Sequence, residues 1–403
     1  MLAALAIGVL AAAAAAAADS GAAGGYELRV VEVDRAPIIS SQNLAGAGRC
    51  TAATLCYNSA FAPASRSSSA PGLLLRMRNM SIAPGARDGK QPPAGSSIGP
   101  SMLGWSPRVS DGSFGDVAPS AIVFQPANAH ETNGTEDPRV ALDADTGTFF
   151  LAYTAFSQLA DPERGWKHNI ELSLATTKTP AVAASWQRHG AAIKGYPNKT
   201  KSGAMLLRKH PLPSYLIFLD TETKSAHLAV STDKDHLVWR PRAANAPFMA
   251  PRASGMFDDA LTEPGPPPLQ LANDGTGPQR WVFFYNGAAN ATTLHMPQYR
   301  DGCYLPIKTV YSVGWMILEA VDSDPTVGLK VVQRASKPLL TPTAVGGWAL
   351  GQAPALCKQP NIVFVEGAEA LGKDRFRIFF GAADATEGSA VVQVQVAKDV
   401  IQE

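Results

Sequence analysis

The chain lacks most of the short signatures that give a mechanism away. Its four cysteines, Cys50, Cys56, Cys303 and Cys357, include no CxxC pair, so the common zinc and dithiol redox patterns are missing. The seven histidines show no metal-ligand spacing, and His130 beside Glu131 stands alone, so no metal site is expected. There is no GxSxG elbow and no glycine-rich phosphate loop, which leaves serine-esterase and nucleotide chemistry without support. Charge is sparse at 17% of residues, and 35 basic against 34 acidic side chains leave a net +1. With no basic block or aromatic-laced basic stripe, nucleic acid is not an expected partner. Long helical periodicity is also missing, and 31 prolines with 35 glycines break the chain into short pieces. That pattern disfavours βαβ architecture.

What remains is a chain of 403 residues, 46% hydrophobic, long enough to bury a large core. Its apolar runs are of strand length and rich in Val, Ile, Phe and Tyr: Leu73–Leu75, Ala121–Phe124, Thr148–Tyr153, Ile170–Leu174, Tyr215–Leu219, Ala226–Val230, Trp281–Tyr285, Val310–Leu318, Lys330–Gln333, Asn361–Val365, Arg375–Phe380 and Val391–Val396. An all-β fold follows. Gly104-Trp105-Ser106, Leu174–Thr177 with Trp186, and Leu228–Asp233 with Trp239 form a weak internal echo of strand, turn and aromatic. Such a repeat suggests radial blades, and a closed ring limits exposed edges better than the alternative, a β-sandwich. Tyr153, Trp239, Trp281 and Trp348 can stack on sugars, although such residues are more often core.

Residues 1–18 are apolar and alanine-rich, end in Ala16-Ala17-Ala18 and are short for a membrane span. They read as a secretory signal peptide, though without a basic n-region. Residues 19–45 are then a leader and first strand, and 46–403 a single catalytic domain. Sequons at Asn79, Asn133, Asn198 and Asn290 fit a secreted glycoprotein with no stable membrane association after cleavage. The same compartment would permit disulfides, with Cys50 and Cys56 the easier pair to close.

Glu136-Asp137-Pro138-Arg139-Val140, just ahead of the strand Thr148–Tyr153, puts a carboxylic acid and a guanidinium at the mouth of a strand. Pro138 biases Asp137 toward extended backbone, so Asp137 and Arg139, two residues apart, are expected to project to one side. By itself the segment also fits an exposed turn with a surface ion pair.

Several segments in a fixed order resemble glycoside hydrolase family 130, the β-mannoside phosphorylases and some β-mannosidases. They are Cys56–Ala60 before Leu73–Arg76, Ser110-Asp111-Gly112, Glu136–Val140, Lys201 before Ala204–Leu206, Gly265–Pro268, Tyr285-Asn286-Gly287, Asp324-Pro325 with Arg334, Pro338–Pro342, Asn361–Phe364 and Phe380–Asp384. The resemblance implies a five-bladed β-propeller with its site at one end of the central channel. It also implies inversion at the anomeric carbon of a β-mannoside or manno-oligosaccharide, with inorganic phosphate as co-substrate or water as nucleophile, and no other cofactor.

Asp137 matches the family's acid, a role that needs a raised pKa, which burial in a sugar-filled pocket promotes while Arg139 pulls the other way. Asp384, Asn58 and Arg76 match positions around the cleaved sugar, with Arg78 an alternative register for the arginine. Arg139 and Tyr285 are assigned to substrate, and Lys201 and Asn286 to phosphate. The chain departs from the family in carrying Leu219-Asp220 and Tyr285-Asn286-Gly287 where phosphorylases tend to carry His-Arg and Tyr-His-Gly. A carboxylate in that shell repels phosphate, so Asp220 becomes a candidate base for hydrolysis opposite Asp137; it also fits a surface pairing with Lys224. Two other classes remain. One is a catalytically silent glycan-binding propeller. The other is a furanosidase-type propeller, which needs a further carboxylate near the first blade, and none lies between Asn58 and Arg78.

Overall fold

A computed structural model describes residues 25–41, 47–51, 55–67, 70–78, 99–161, 165–196, 199–242, 246–273, 277–290, 309–321, 328–350 and 359–396. Residues 1–18, read above as a signal peptide, and Cys303, Cys357, Asn79 and Asn198 lie outside them. The described residues form five sheets, arranged as the blades of a β-propeller. Strands β1 (Tyr26–Val33), β2 (Ile39–Ser40) and β3 (Gly48–Arg49) come first. Blade 1 is β4 (Leu55–Ala62), β5 (Gly72–Arg78), β6 (Met102–Pro107) and β7 (Ile122–Phe124). Blade 2 is β8 (Gly134–Asp143), β9 (Thr148–Asp161), β10 (Gly165–Thr177) and β11 (Gln187–Ala191). Blade 3 is β12 (Thr200–Leu206), β13 (Ser214–Asp220), β14 (Ser225–Ser231) and β15 (Arg240–Pro241). Blade 4 is β16 (Leu261–Pro264), β17 (Leu269–Gln270), β18 (Arg280–Asn290), β19 (Thr309–Val321) and β20 (Gly328–Arg334).

Blade 5 is β21 (Val363–Gly372), β22 (Arg375–Ala382) and β23 (Thr386–Val396), completed on the outside by β1 and β2 from the N-terminal end of the chain. β1 runs antiparallel to β23 from Tyr26↔Val396 to Val33↔Ala390, so the propeller takes in strands ahead of residue 46. A disulfide between Cys50 and Cys56 ties the end of β3 to the start of β4, and with it blade 5 to blade 1.

Each blade packs on two neighbours, and the apolar side chains divide into five clusters, one at each blade interface. A strand inside such a ring buries both faces, which is why β4 and β13 are buried along their whole length rather than alternating with solvent. Period-two alternation still decides which interface a side chain enters. In β13, Tyr215 and Ile217 face blade 4, whereas Leu216 and Phe218 face blade 2. Tyr153, Trp239, Trp281 and Trp348 all belong to these clusters. The sequence echo marks Trp105 within the third strand of blade 1, and Trp186 and Trp239 ahead of the fourth strands of blades 2 and 3.

Candidate active site

The inner strands β4, β8, β12, β16 and β21 neighbour one another around the channel, and three of them break register at the same end. The ladder of β4 slips between Tyr57 and Ser59, that of β8 between Glu136 and Arg139, and that of β12 between Lys201 and Ala204. At these bulges Asn58, Asp137 and Ser202 take φ of 54°, 50° and 55°. A bulge of this kind re-aims a side chain that regular alternation would send into a blade interface. Left-handed backbone at residues other than glycine costs stability, and Asn and Asp tolerate it better than most.

Together these strands close a cleft of about 290 Å³ lined by Asn58, Arg76, Arg78, Glu136, Asp137, Phe156, Lys201, Glu263, Tyr311, Gln359, Ile362, Phe364 and Asp384. Asp137 is only 4% exposed and lies at its charged centre. Arg76 Nη1 donates to Asp137 Oδ1 at 2.6 Å, and Asn58 Nδ2 donates to the same oxygen at 3.1 Å. Lys201 Nζ is 3.4 Å from Asp137 Oδ2 and 2.9 Å from Glu263 Oε1. Arg76 also pairs with Glu136, and Ser202 Oγ donates to Glu263. Asp384, at φ 50° in the turn between β22 and β23, forms part of another wall.

Burial by itself would raise the Asp137 pKa, but Arg76, Lys201, Arg139 and the Asn58 amide outweigh it and hold the carboxyl well below the usual carboxylate range. Burial likewise works against the charge on Lys201, yet Glu263 and Asp137 keep the ammonium charged by raising its pKa. Tyr311 is pushed up by burial and by the neighbouring carboxylates, so its hydroxyl remains a donor.

The structure thus brings together Asn58, Arg76, Asp137, Lys201 and Asp384, with Arg78 at the same cleft. It does not bring Arg139, Asp220, Tyr285 or Asn286 there. Arg139 is fully buried and does not project with Asp137, because the left-handed backbone at Asp137 turns the two side chains apart. Its donors go to the carbonyls of Asp137 (2.9 Å), Pro264 (2.8 Å) and Gly265 (3.3 Å), and Glu366 lies 3.1 Å away.

Asp220 shares the parity of Leu216 and Phe218 and therefore enters the interface of blades 2 and 3. There it accepts from Tyr196 Oη at 3.1 Å and from the backbone N–H groups of Glu222 and Thr223. Tyr285 and Asn286 lie on the second strand of blade 4. The Tyr285 hydroxyl donates to Asp258 at 2.8 Å and accepts from Arg334, while Asn286 clamps both the N–H and the C=O of Val365. Asp220→Asn is accordingly expected to keep kcat and KM within about threefold of wild type in steady-state assays, since it lies outside the cleft. A loss above a hundredfold would restore Asp220 as a catalytic base.

Sequence reasoning missed Glu263, Glu136 as a site residue, and the aromatic walls Phe156, Tyr311 and Phe364. Glu263 had a signal: it stands two residues ahead of the Gly265–Pro268 segment. The other walls come from strands whose approach to the cleft is set only by the closed ring.

A family model described as β-1,4-mannooligosaccharide phosphorylase matches residues 108–403, well over half of the chain. The chain belongs to glycoside hydrolase family 130. The match includes Asp137, Lys201, Glu263 and Asp384 and leaves Asn58 and Arg76 upstream. Among solved structures, a glycosyl hydrolase from Bacteroides ovatus is similar at 21% identity and TM-score 0.60, over 92% of this chain and 94% of that one. A β-1,2-mannobiose phosphorylase from Listeria innocua is similar at 17% identity and TM-score 0.56, over 83% and 88%. A mannose phosphorylase from Leishmania mexicana, solved with a phosphate ion, is similar at 13% identity and TM-score 0.50, over 91% and 89%. At these identities the structural likeness speaks for the fold. A search of curated proteins returned no match.

Proposed function

We propose that the protein cleaves β-mannosides or manno-oligosaccharides with inversion, transferring the mannosyl group to inorganic phosphate. The observation that carries this reading is the contact between a buried carboxylate, Asp137, and a partly exposed ammonium, Lys201, in a cleft that Asp384 also lines. The carboxyl serves as the acid and the ammonium attracts the anionic nucleophile. In the reaction a phosphate oxygen forms the new bond to the anomeric carbon from the face opposite the leaving group. The glycosidic C–O bond breaks, and its oxygen takes the proton that Asp137 delivers. The products are α-mannosyl phosphate and a sugar shortened by one unit.

Asp137 must first be loaded, because the surrounding cations favour its ionised form. Sugar filling the cleft excludes water, and a phosphate dianion at Lys201 offsets one of those cations. Both changes raise the Asp137 pKa. Asp384 fits the role of a short acceptor for sugar hydroxyls, and Phe156, Tyr311 and Phe364 supply ring faces.

Hydrolysis is the second reading, and Glu263 favours it. A carboxylate 2.9 Å from Lys201 repels phosphate there and can itself accept a proton from water. Incubating the mature protein with β-1,4- and β-1,2-mannobiose, with and without phosphate, separates the two by NMR. α-Mannose 1-phosphate formed only with phosphate supports phosphorolysis. Free mannose formed at the same rate in both supports hydrolysis with Glu263 as the base.

We also propose a secretory-pathway location, which the alanine-rich start of the chain and the Cys50–Cys56 disulfide support. The catalytic propeller then includes β1 and β2 as well as the strands that follow residue 46.

A further inference from the structure

Asn58 reaches Asp137 only because its backbone is held in a left-handed bulge, and two residues of blade 5 form the seat of that bulge. The first is Gly381 in β22: a Cβ there would lie 2.0 Å from Asn58 Oδ1 and 2.9 Å from Asn58 N, so only glycine lets the asparagine in. The second is Glu387 in β23, the cross-strand partner of Gly381. Ser59 Oγ donates to Glu387 Oε1 at 2.7 Å, which ties down the residue next to Asn58 in the chain. Regular pairing of β4 with β5 fails between Tyr57 and Ser59 and leaves Asn58 without a ladder partner, so the bulge leans on support from outside its own sheet.

The geometry points to Glu387 as a positioning residue for the reaction, acting across the interface of blades 5 and 1 to hold the Asn58 bulge and so aim the Asn58 amide at Asp137. Glu387 touches neither Asp137 nor the cleft; its effect passes through Asn58. It is fully buried, and its Oε2 has no hydrogen-bond partner. Burial pushes its carboxyl up to about 8, with the Ser59 hydroxyl pulling the other way. Near neutral pH it is therefore mostly the neutral acid, which glutamine mimics in shape and in acceptor. The inference rests on Asp137 being the acid.

The test measures kcat and KM on β-1,4-mannobiose with phosphate, together with Tm, for E387A, E387Q, N58A and the double variant E387A/N58A. E387A is expected to lower kcat about tenfold, the effect of one misdirected hydrogen bond, with KM within about twofold. E387Q is expected to stay within about twofold of wild type, and E387A added to N58A to change kcat by less than about twofold, because the two act in series. Equal losses from E387A in the wild-type and N58A backgrounds, or no loss at all, would overturn the proposal. If E387A does not fold, Gly381→Ala tests the same seat: it crowds Asn58 while leaving Glu387 in place, and an unchanged kcat would count against the proposal. Asp137→Asn separates the two levels. An active D137N removes the acid assignment, whereas an inactive D137N with unaffected E387A and G381A removes only the role of Glu387.

Discussion

Asp137→Asn is expected to lower kcat about 10³-fold with little change in KM, in the range set by loss of a positioned general acid. The amide keeps the shape of the carboxyl and can still accept from Arg76 and Asn58, which now reach Asp137 Oδ1 at 2.6 and 3.1 Å. What it cannot do is deliver a proton to the leaving oxygen. A leaving group that needs no protonation, such as a nitrophenolate, should recover much of the loss, because its departure does not depend on an acid. The pH profile of kcat should fall on the alkaline side at a pH set by Asp137 in the phosphate-bound complex. That pH should lie above the one at which Asp137 titrates in the empty cleft, where Arg76, Lys201 and Arg139 overcome the effect of burial. If D137N kept activity within tenfold of wild type on a mannobiose, Asp137 would not be the acid.

Arg139→Met is expected to destabilise the fold by about 3–5 kcal/mol, the cost of leaving three buried carbonyls without their donor at about 1–3 kcal/mol each. The guanidinium stands at the channel axis and joins three blades: β8 through the Asp137 carbonyl, blade 4 through Pro264 and Gly265, and β21 through Glu366. Methionine fills part of the volume but leaves those carbonyls without their donor. Glu366→Gln should cost far less, because burial already drives this carboxyl toward its neutral form against the pull of Arg139. Chemical denaturation measures both: the midpoint should fall strongly for R139M at an unchanged slope and only slightly for E366Q. A midpoint for R139M equal to that of wild type would show that the axis is held together without this arginine.

Much of the architecture was legible because apolar runs of strand length survive in nearly every blade. The blade number was not legible from periodicity, since the echo of Trp105, Trp186 and Trp239 covers only the first three blades, and β1 with β2 joins blade 5 from the far end of the chain. Asp137, Arg76, Lys201 and Asp384 were found as a group because each stands in a segment with a recognisable order. Their exact company was hidden by local backbone. Pro138 argued for extended geometry at Asp137, but the bulge between Glu136 and Arg139 puts that residue at φ 50° and sends Arg139 to the axis. Asp220 was misplaced for a simpler reason. Its parity along β13 sends it into a blade interface, and which parity faces which interface depends on the closed ring rather than on any local pattern. Asn286 likewise looked available for an anion, whereas both ends of its amide are taken by Val365.

The measurement that bears most directly on the proposed activity is the anomeric configuration of the first product, read by NMR from wild-type enzyme with mannobiose and phosphate before mutarotation, with D137N as control. The expected result is an α-configured mannosyl product, as phosphate or free sugar, that appears with wild type and is almost absent with D137N. A β-configured first product, or equal product from D137N, would contradict inverting cleavage with Asp137 as the acid.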